Sequence, residues 1–217
     1  MTHSPLNDEQ AYYALTHRAF RVLAPVYELM TLPLTRVREQ VADFAEAAPG
    51  LLVLDVATGT GQQAFAFARR GCRVRGVDLT DAMLAIARSH NQDGRVDFEQ
   101  GDATHLRFSD GSFDITCISY ALHDMPPTIR ERVLREMARV TRGNGRIIIV
   151  DYALPRAPVT RALLQGITAL YEGRYYSEFI GTDLRPVAMS AGIEIAGEQP
   201  VLWGAGRILR GRKLPAE

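Results

Sequence analysis

Three aspartates, each at the end of a predicted strand, are the residues with the clearest potential for chemistry. Asp55 lies in the apolar run 51–56, Asp78 follows 73–77, and Asp102 follows 96–100. Because the carboxyl ends of parallel strands meet at one edge of a sheet, we expect the three carboxylates to surround one ligand. Carboxylates at such an edge bind ribose hydroxyls and attract positive charge. The sequence therefore predicts a ligand that combines a ribose with a positive charge.

A glycine-rich loop, TGTG at 58–61, joins the first of these strands to a helix that begins at Gln62. Glycine allows a tight turn and a close approach of a ligand to the main chain. The free N–H groups at the start of the helix point to the same place. The loop therefore predicts a nucleotide site. The segment GTGQQA at 59–64 also satisfies the G-x-G-x-x-A fingerprint of dinucleotide-binding proteins, which alone is weak evidence.

Asp55 distinguishes between two classes of nucleotide. It precedes Gly59 at the mouth of the loop, where a pyrophosphate at about 4 Å would meet a repulsion of about 1–4 kcal/mol. S-adenosylmethionine instead carries an ammonium and a sulfonium group, which an acid attracts, and an adenosine for Asp78 and Asp102. We therefore favour S-adenosylmethionine over NAD(P). The alternative is that Asp55 only caps the following turn.

The segments that position these residues alternate between strand and helix. Strands are predicted over 51–56, 73–77, 96–100, 113–119 and 147–151. Helices are predicted over 62–70 and 80–89, and from Pro126 to the turn at 143–145. A helix over 184–191 and two closing strands, 193–199 and an antiparallel 201–209, follow. The alternation predicts one α/β domain, a Rossmann-like doubly wound sheet of seven mostly parallel strands with helices on both faces.

Two further segments are expected to cover the edge of the sheet. Residues 8–48 are predicted to form a helical cover broken at Pro25 and Pro33, in which Tyr27 either lies over the ligand or only packs. Residues 153–191 are predicted to form a lid whose tyrosines suit a lipophilic or aromatic acceptor. Ordinary packing and a homodimer surface are the alternatives. The cofactor-binding core would span 50–152 and the closing strands 192–209.

Composition narrows the classes of partner. The 217 residues are 47% apolar and 23% charged with a formal net charge of zero, so no basic field attracts nucleic acid. No apolar run approaches the roughly 18 residues of a membrane span, and the N-terminus lacks a signal-peptide core. Cys72 and Cys117 form no metal-type pair. We expect no nucleic acid, no stable membrane insertion and no metal. The two cysteines suit a reducing cytoplasm, and because every Lys or Arg except Lys213 is arginine, we expect a bacterial source.

Residues 50–152 resemble class I S-adenosylmethionine-dependent methyltransferases. The first two motifs are LDVATGTG at 54–61 and VDL at 77–79, and GDA at 101–103 resembles the adenine-binding turn. The segment from 113 to 123, which ends in SYALH, resembles the fourth motif. LREMARV at 134–140 and GNGR at 143–146 resemble the helix and turn before the fifth strand. APVYELM at 24–30 resembles the methyltransferases of ubiquinone and menaquinone biosynthesis in particular.

The resemblance implies a role for each matching residue. The residues around the methionine part of the cofactor would be Tyr27, Asp55, Ala57, Thr58, Gly59 and Gly61. Those that bind the ribose hydroxyls and the adenine would be Asp78, Leu79, Met83, Asp102 and Ala103. Ser119 and Tyr120 would lie close to the sulfonium. Ala57 stands where many members have glycine, and because alanine is small we expect little harm from it.

The implied reaction is an in-line displacement. A carbon, oxygen or nitrogen of a small-molecule acceptor attacks the methyl group, and S-adenosylhomocysteine is the product. The protein mainly aligns the two partners. His123, beside Asp124, is the candidate general base, with His17 as a second candidate. Alternatively, His123 only shapes its loop. Two other functions stay open, namely an NAD(P)-dependent oxidoreductase and a non-catalytic protein that binds S-adenosylmethionine.

Overall fold

A computed structural model describes residues 5–155 and 179–215, with only the backbone described for 5–8 and Pro25. The helices are α1 (Pro5–Thr31), α2 (Thr35–Phe44), α3 (Gln62–Arg69), α4 (Asp81–His90), α5 (Pro127–Val140) and α6 (Leu184–Ser190). The strands are β1 (Leu52–Val56), β2 (Arg73–Asp78), β3 (Val96–Gln100), β4 (Phe113–Ser119), β5 (Thr141–Tyr152), β6 (Ile193–Val201) and β7 (Gly206–Lys213). Short 3-10 turns occupy Leu32–Leu34, Leu122–Asp124 and Leu202–Gly204.

The seven strands form one sheet in the order β3-β2-β1-β4-β5-β7-β6. The pairs from β3 to β5 are parallel, and β7 runs antiparallel to both β5 and β6. Strand order reverses between β1 and β4, which creates the crevice where ligands of such sheets bind. The predicted fold class is confirmed. The bounds of the closing strands differ from the prediction, since β6 continues to Val201, and β7 begins only at Gly206 and ends at Lys213.

Helices cover both faces of the sheet. Neighbouring residues of β1 point to opposite faces, so that Val53 packs with Phe67 of α3 and the apolar side of α2, whereas Leu54 packs with Leu134 of α5. Most residues of β1 and β4 are apolar because both faces of these strands are covered. The core therefore consists of two layers, and the carboxyl edge between them is left for the site.

Two interruptions of secondary structure that the sequence predicts, at Pro25 and at 143–145, are not interruptions in the structure. Helix α1 continues through Pro25 and ends only at Thr31, next to the turn that contains Pro33. An internal proline removes one hydrogen bond of the helix, and contacts on either side of Pro25, from Tyr13 to Asp102 and from Glu28 to Gln62, offset this loss. The turn at 143–145, expected to separate α5 from the fifth strand, lies within β5 as an irregularity in its pairing with β4.

The polar side of α5 is more than a solvated surface. Arg130 is only 2% exposed, and its guanidinium donates to the carbonyls of Leu122 and Met125. It also lies over the ring of Phe179 at 4.6 Å. Glu136 accepts a hydrogen bond from the backbone N–H of Leu106. Long side chains at the border of this polar face therefore reach back to the loops beside the helix.

Candidate functional site

One cavity of about 1050 Å³, including the open solvent at its mouth, lies at the carboxyl edge of β1, β2 and β4. Helices α1 and α2 form its other wall. All of the predicted cofactor-binding residues except Gly61 line it, namely Tyr27, Asp55, Ala57, Thr58, Gly59, Asp78, Leu79, Met83, Asp102, Ala103, Ser119 and Tyr120. Gly61 is buried behind the loop and begins α3 with a φ of 79°. The sequence thus located the cavity, while the role of each residue stays a prediction.

Asp55 both holds the loop and faces the cavity. Its side chain is 1% exposed and accepts a hydrogen bond of 2.6 Å from the hydroxyl of Thr58. Burial raises the pKa of Asp55 to about 7, although the hydrogen bonds from Thr58 and from the backbone of Ala64 lower it. A turn-stabilising role and a ligand-binding role are therefore compatible. A cation in the cavity would favour the ionised carboxylate.

Asp78 and Asp102 retain capacity to accept more hydrogen bonds. Asp78 accepts from the backbone N–H groups of Gly59 and Thr80, both at 2.8 Å. Asp102 accepts from the N–H and the hydroxyl of Thr104 and from the hydroxyl of Tyr13. A carboxylate offers about four lone-pair positions. The remaining capacity of Asp78 therefore suits ribose hydroxyls, and one position on Asp102 suits a single amino group.

The backbone is strained at two corners of the cavity. Ala57 has a φ of 54° and Tyr120 a φ of 51°, a region that residues with a Cβ rarely adopt. Each follows the end of a central strand, β1 or β4, where the chain turns sharply beside the cavity. The expectation of little harm from Ala57 omitted this backbone cost, which glycine would not carry.

Several wall residues were missed in the sequence. The inner side of α1 contributes Tyr12, Tyr13, Thr16 and Phe20, and α2 contributes Arg38. Tyr12 and Tyr13 are adjacent in an amphipathic segment, which could have indicated a cavity wall, but ordinary packing explains such a pair of tyrosines equally well. No accepting group among the described residues bonds to the guanidinium of Arg38, which faces the cavity near Asp55.

The donors and acceptors around the cavity fit S-adenosylmethionine. Carboxylates with free positions suit its ribose and adenine amino groups, Asp55 suits its ammonium, and Arg38 suits its carboxylate. In addition, the buried hydroxyl of Tyr120 has no hydrogen-bond partner among the described residues. A buried polar group without a partner is costly unless a ligand satisfies it.

His123 lies behind the cavity wall. Its side chain is 8% exposed, and its Nδ1 is 2.8 Å from Asp151 Oδ1. Neither His123 nor His17 is among the described residues that line the cavity, whereas Asp124 is. The histidine predicted as a general base is therefore next to the cavity but separated from it by Asp124.

Across 5–155 and 179–215 there is no group of three or more His, Cys, Asp or Glu side chains that could hold a metal ion. Over the same ranges, no helix has the length and apolar character to cross a bilayer.

Comparison with known proteins shows to which family this chain is related. A model of the methyltransferase domain matches residues 53–145. The chain is 34% identical to the demethylmenaquinone methyltransferase of Renibacterium salmoninarum, over 70% of the chain and 66% of that protein. It is 32% identical to the ubiquinone/menaquinone biosynthesis C-methyltransferase UbiE of Geobacter sp., over 70% of the chain and 71% of that protein. Three demethylmenaquinone methyltransferases are each covered over only 52% to 66% of their length.

A solved structure shows the same fold. Magnesium protoporphyrin IX methyltransferase from Synechocystis PCC 6803, solved with bound S-adenosylhomocysteine, superposes with a TM-score of 0.64. The alignment covers 82% of this chain and 83% of that protein at 23% sequence identity.

Proposed function

This chain belongs to the class I S-adenosylmethionine-dependent methyltransferases, and we propose that it transfers a methyl group to a small lipophilic aromatic acceptor of the quinone type. The observation that carries the proposal is the set of carboxylates around one cavity. Asp55, Asp78 and Asp102 lie at or just after the carboxyl ends of three adjacent strands, where they suit a cationic nucleoside. A pyrophosphate would be repelled by the same set, so the oxidoreductase alternative is not favoured.

The residues of the cavity would hold the cofactor in the manner that the sequence predicts. Asp78 would accept from the ribose hydroxyls, Asp102 from the adenine amino group, and Asp55 would attract the ammonium. When bound, the cofactor supplies an electrophilic methyl group. Alignment of the acceptor with that methyl group would then depend on the walls formed by α1 and α5, because in-line attack requires fixed orientation.

The acceptor class rests on the apolar part of the cavity and on the relatives. Met125, Ile129 and Val133 line the cavity near Tyr12 and Phe20 of α1. An apolar wall with aromatic rings favours a flat, lipophilic molecule. The relatives are named as a demethylmenaquinone methyltransferase and a ubiquinone/menaquinone biosynthesis C-methyltransferase, and we propose a hydroquinone as the acceptor of this chain. Residues 156–178, which include the tyrosines of the lid predicted to help select the acceptor, lie outside the described residues.

The first test is ligand binding followed by turnover. S-adenosylhomocysteine should raise the midpoint of thermal unfolding, and NAD at the same concentration should not. Isotope-labelled methyl groups should then pass from S-adenosylmethionine to a demethylated naphthohydroquinone. Protection by NAD alone would contradict the proposal. Tight binding of S-adenosylhomocysteine without turnover of any hydroquinone would instead favour the non-catalytic binder.

Arg38 provides a second test, because we propose that it binds the carboxylate of the cofactor. Burial lowers the pKa of Arg38, while nearby Tyr27, Tyr120 and Asp55 favour its charged form. Arg38→Met should weaken S-adenosylhomocysteine binding by about 10–100-fold in calorimetry, since a hydrogen bond to a charged group contributes about 1.5–3 kcal/mol. Binding of methylthioadenosine, which lacks the carboxylate, should change little.

Arg36→Met is the matched control, because Arg36 is on the same helix but exposed. It should leave both dissociation constants unchanged. An equal loss of affinity for both ligands in Arg38→Met would show that Arg38 shapes the cavity without contacting the carboxylate.

We also propose a cytoplasmic location. Both cysteines, Cys72 and Cys117, are buried and unpaired, as suits a reducing compartment. The homodimer, the lid over 153–191 and the domain boundaries remain predictions.

A further inference from the structure

A fourth aspartate, Asp124, lines the cavity beside its apolar wall. It ends the turn Leu122–Asp124 after β4 and is followed by Met125, which lines the same cavity. Each of the three carboxylates assigned to the cofactor accepts a hydrogen bond from a backbone N–H group. None of the described backbone N–H groups donates to Asp124. Its side chain is 35% exposed, so its oxygens are accessible from the cavity.

Behind Asp124, the imidazole of His123 lies between two carboxylates. His123 Nε2 is 3.4 Å from Asp124 Oδ2, and Nδ1 is 2.8 Å from Asp151 Oδ1. Asp151 is fully buried and also accepts from the backbone N–H of His123 at 3.2 Å. The contacts of Asp151 with Nδ1 and with the backbone N–H of His123 fix the orientation of the imidazole ring, and Nε2 therefore points to Asp124. The ring of Tyr152 packs edge-on against it at 4.9 Å.

The electrostatics of this group follow from its burial. Burial alone would lower the pKa of His123, but attraction by Asp151 and Asp124 outweighs burial and raises it. Burial raises the pKa of Asp124, Asp151 raises it further, and His123 opposes both. Within 5–155 and 179–215, the charged and titratable groups around Asp124 are His123 in its own turn, Asp151 on β5, Arg130 on α5 and Tyr12 on α1.

We propose that Asp124 is the base that removes a proton from the methyl acceptor, with His123 and Asp151 as positioning residues behind it. The inference rests on the proposed function and assigns the base to a residue that lines the cavity. His123, named as the base from the sequence, would instead hold Asp124 ionised through its own positive charge. A carboxylate whose pKa is raised is a stronger base than an ordinary surface carboxylate.

The proposed step balances for a hydroquinone acceptor. A bond forms between a ring carbon and the methyl carbon, while the sulfur–methyl bond breaks and its electron pair passes to sulfur. The acceptor loses one proton in total, from a phenolic oxygen or from the methylated carbon. That proton passes to a carboxylate oxygen of Asp124 and then to solvent. No oxidant or reductant is consumed.

The test compares Asp124→Asn with Asp97→Asn, an exposed aspartate on β3 without polar contacts among the described residues. Asp124→Asn should lower kcat by about 100–1000-fold, the usual contribution of a general base. Acceptor KM and the dissociation constant of S-adenosylhomocysteine should change less than about threefold. Wild-type kcat should fall as the pH drops through the pKa of Asp124, and this acid limb should vanish in Asp124→Asn. Asp97→Asn should match the wild type throughout.

Two further readouts distinguish a positioning role from a structural one. His123→Gln should move the acid limb of kcat to higher pH, because Asp124 would lose the charge that lowers its pKa. In the ligand-free protein, nitrogen NMR should show a lower pKa of the His123 imidazole in Asp124→Asn than in the wild type. An unchanged His123 titration, or an Asp124→Asn variant that keeps more than half of kcat, would overturn the inference. A wild-type protein that methylates no acceptor would contradict the proposed function itself.

Discussion

Gly61→Ala should lower the midpoint of thermal unfolding by about 5–15 °C. An added Cβ would lie 2.6 Å from Phe98 Cζ and 3.1 Å from Phe65 Cε2, and the φ of Gly61 is 79°. The left-handed backbone costs a residue with a Cβ about 1–2 kcal/mol, and overpacking costs about 1–3 kcal/mol more. A chain of this size loses about 2–4 °C for each kcal/mol. Differential scanning calorimetry of the ligand-free protein measures the effect.

Gly94→Ala separates the two causes. Gly94 also has a positive φ, of 60°, but no atom lies within 4 Å of the added Cβ. This variant should therefore carry only the backbone cost and lose about 2–6 °C. Equal losses in the two variants would mean that the rings of Phe65 and Phe98, now edge to face at 5.7 Å, move aside without cost.

Asp78→Ala should weaken S-adenosylhomocysteine binding by about 5–150-fold, measured by calorimetry at constant salt. The range corresponds to a loss of about 1–3 kcal/mol, which is usual for hydrogen bonds to a charged group. The variant removes the acceptor of two proposed ribose hydroxyls. It also leaves the N–H groups of Gly59 and Thr80 without their present partner, so the loop is expected to loosen.

Asp81→Ala is the control for Asp78→Ala. Asp81 begins α4, is exposed, and forms an ion pair with Arg88 outside the cavity. Removing this surface pair should cost at most about 1 kcal/mol of stability and leave binding unchanged. If Asp78→Ala is folded and its dissociation constant equals that of the wild type, the assignment of Asp78 to the ribose is wrong.

The sheet and its cavity were predictable because the central strands are buried on both faces. Nearly continuous apolar runs such as 51–56 and 147–151 are typical of strands buried in a parallel sheet. An aspartate in the last residues of such a run, or just after it, must lie at the carboxyl edge, which placed Asp55, Asp78 and Asp102 at one site. These inferences need only local sequence and the topology of a doubly wound sheet.

The remaining features depend on tertiary contacts that local sequence does not specify. Helix α1 passes through Pro25 because contacts on both sides of the proline compensate for it. Arg130 is buried because carbonyls of the preceding turn accept its hydrogen bonds, although its position on α5 indicates an exposed residue. The orientation of His123 depends on Asp151, which is 28 positions further along the chain. The periodicity of apolar residues in the sequence does not indicate that His123 and Asp151 are in contact.

The hydrogen bond from Tyr13 of α1 to Asp102 has a thermodynamic consequence. One wall of the cavity is a helix and the other is the sheet, so a ligand between them binds only when α1 is docked. Ligand binding and docking of α1 are therefore linked equilibria. At a ligand concentration of 100 times the dissociation constant, the ligand stabilises the docked state of α1 by about 2.7 kcal/mol relative to the locally opened state. The amide hydrogens of α1 should then exchange more slowly in the ligand-bound protein than in the ligand-free protein, and this difference would report occupancy of the cavity.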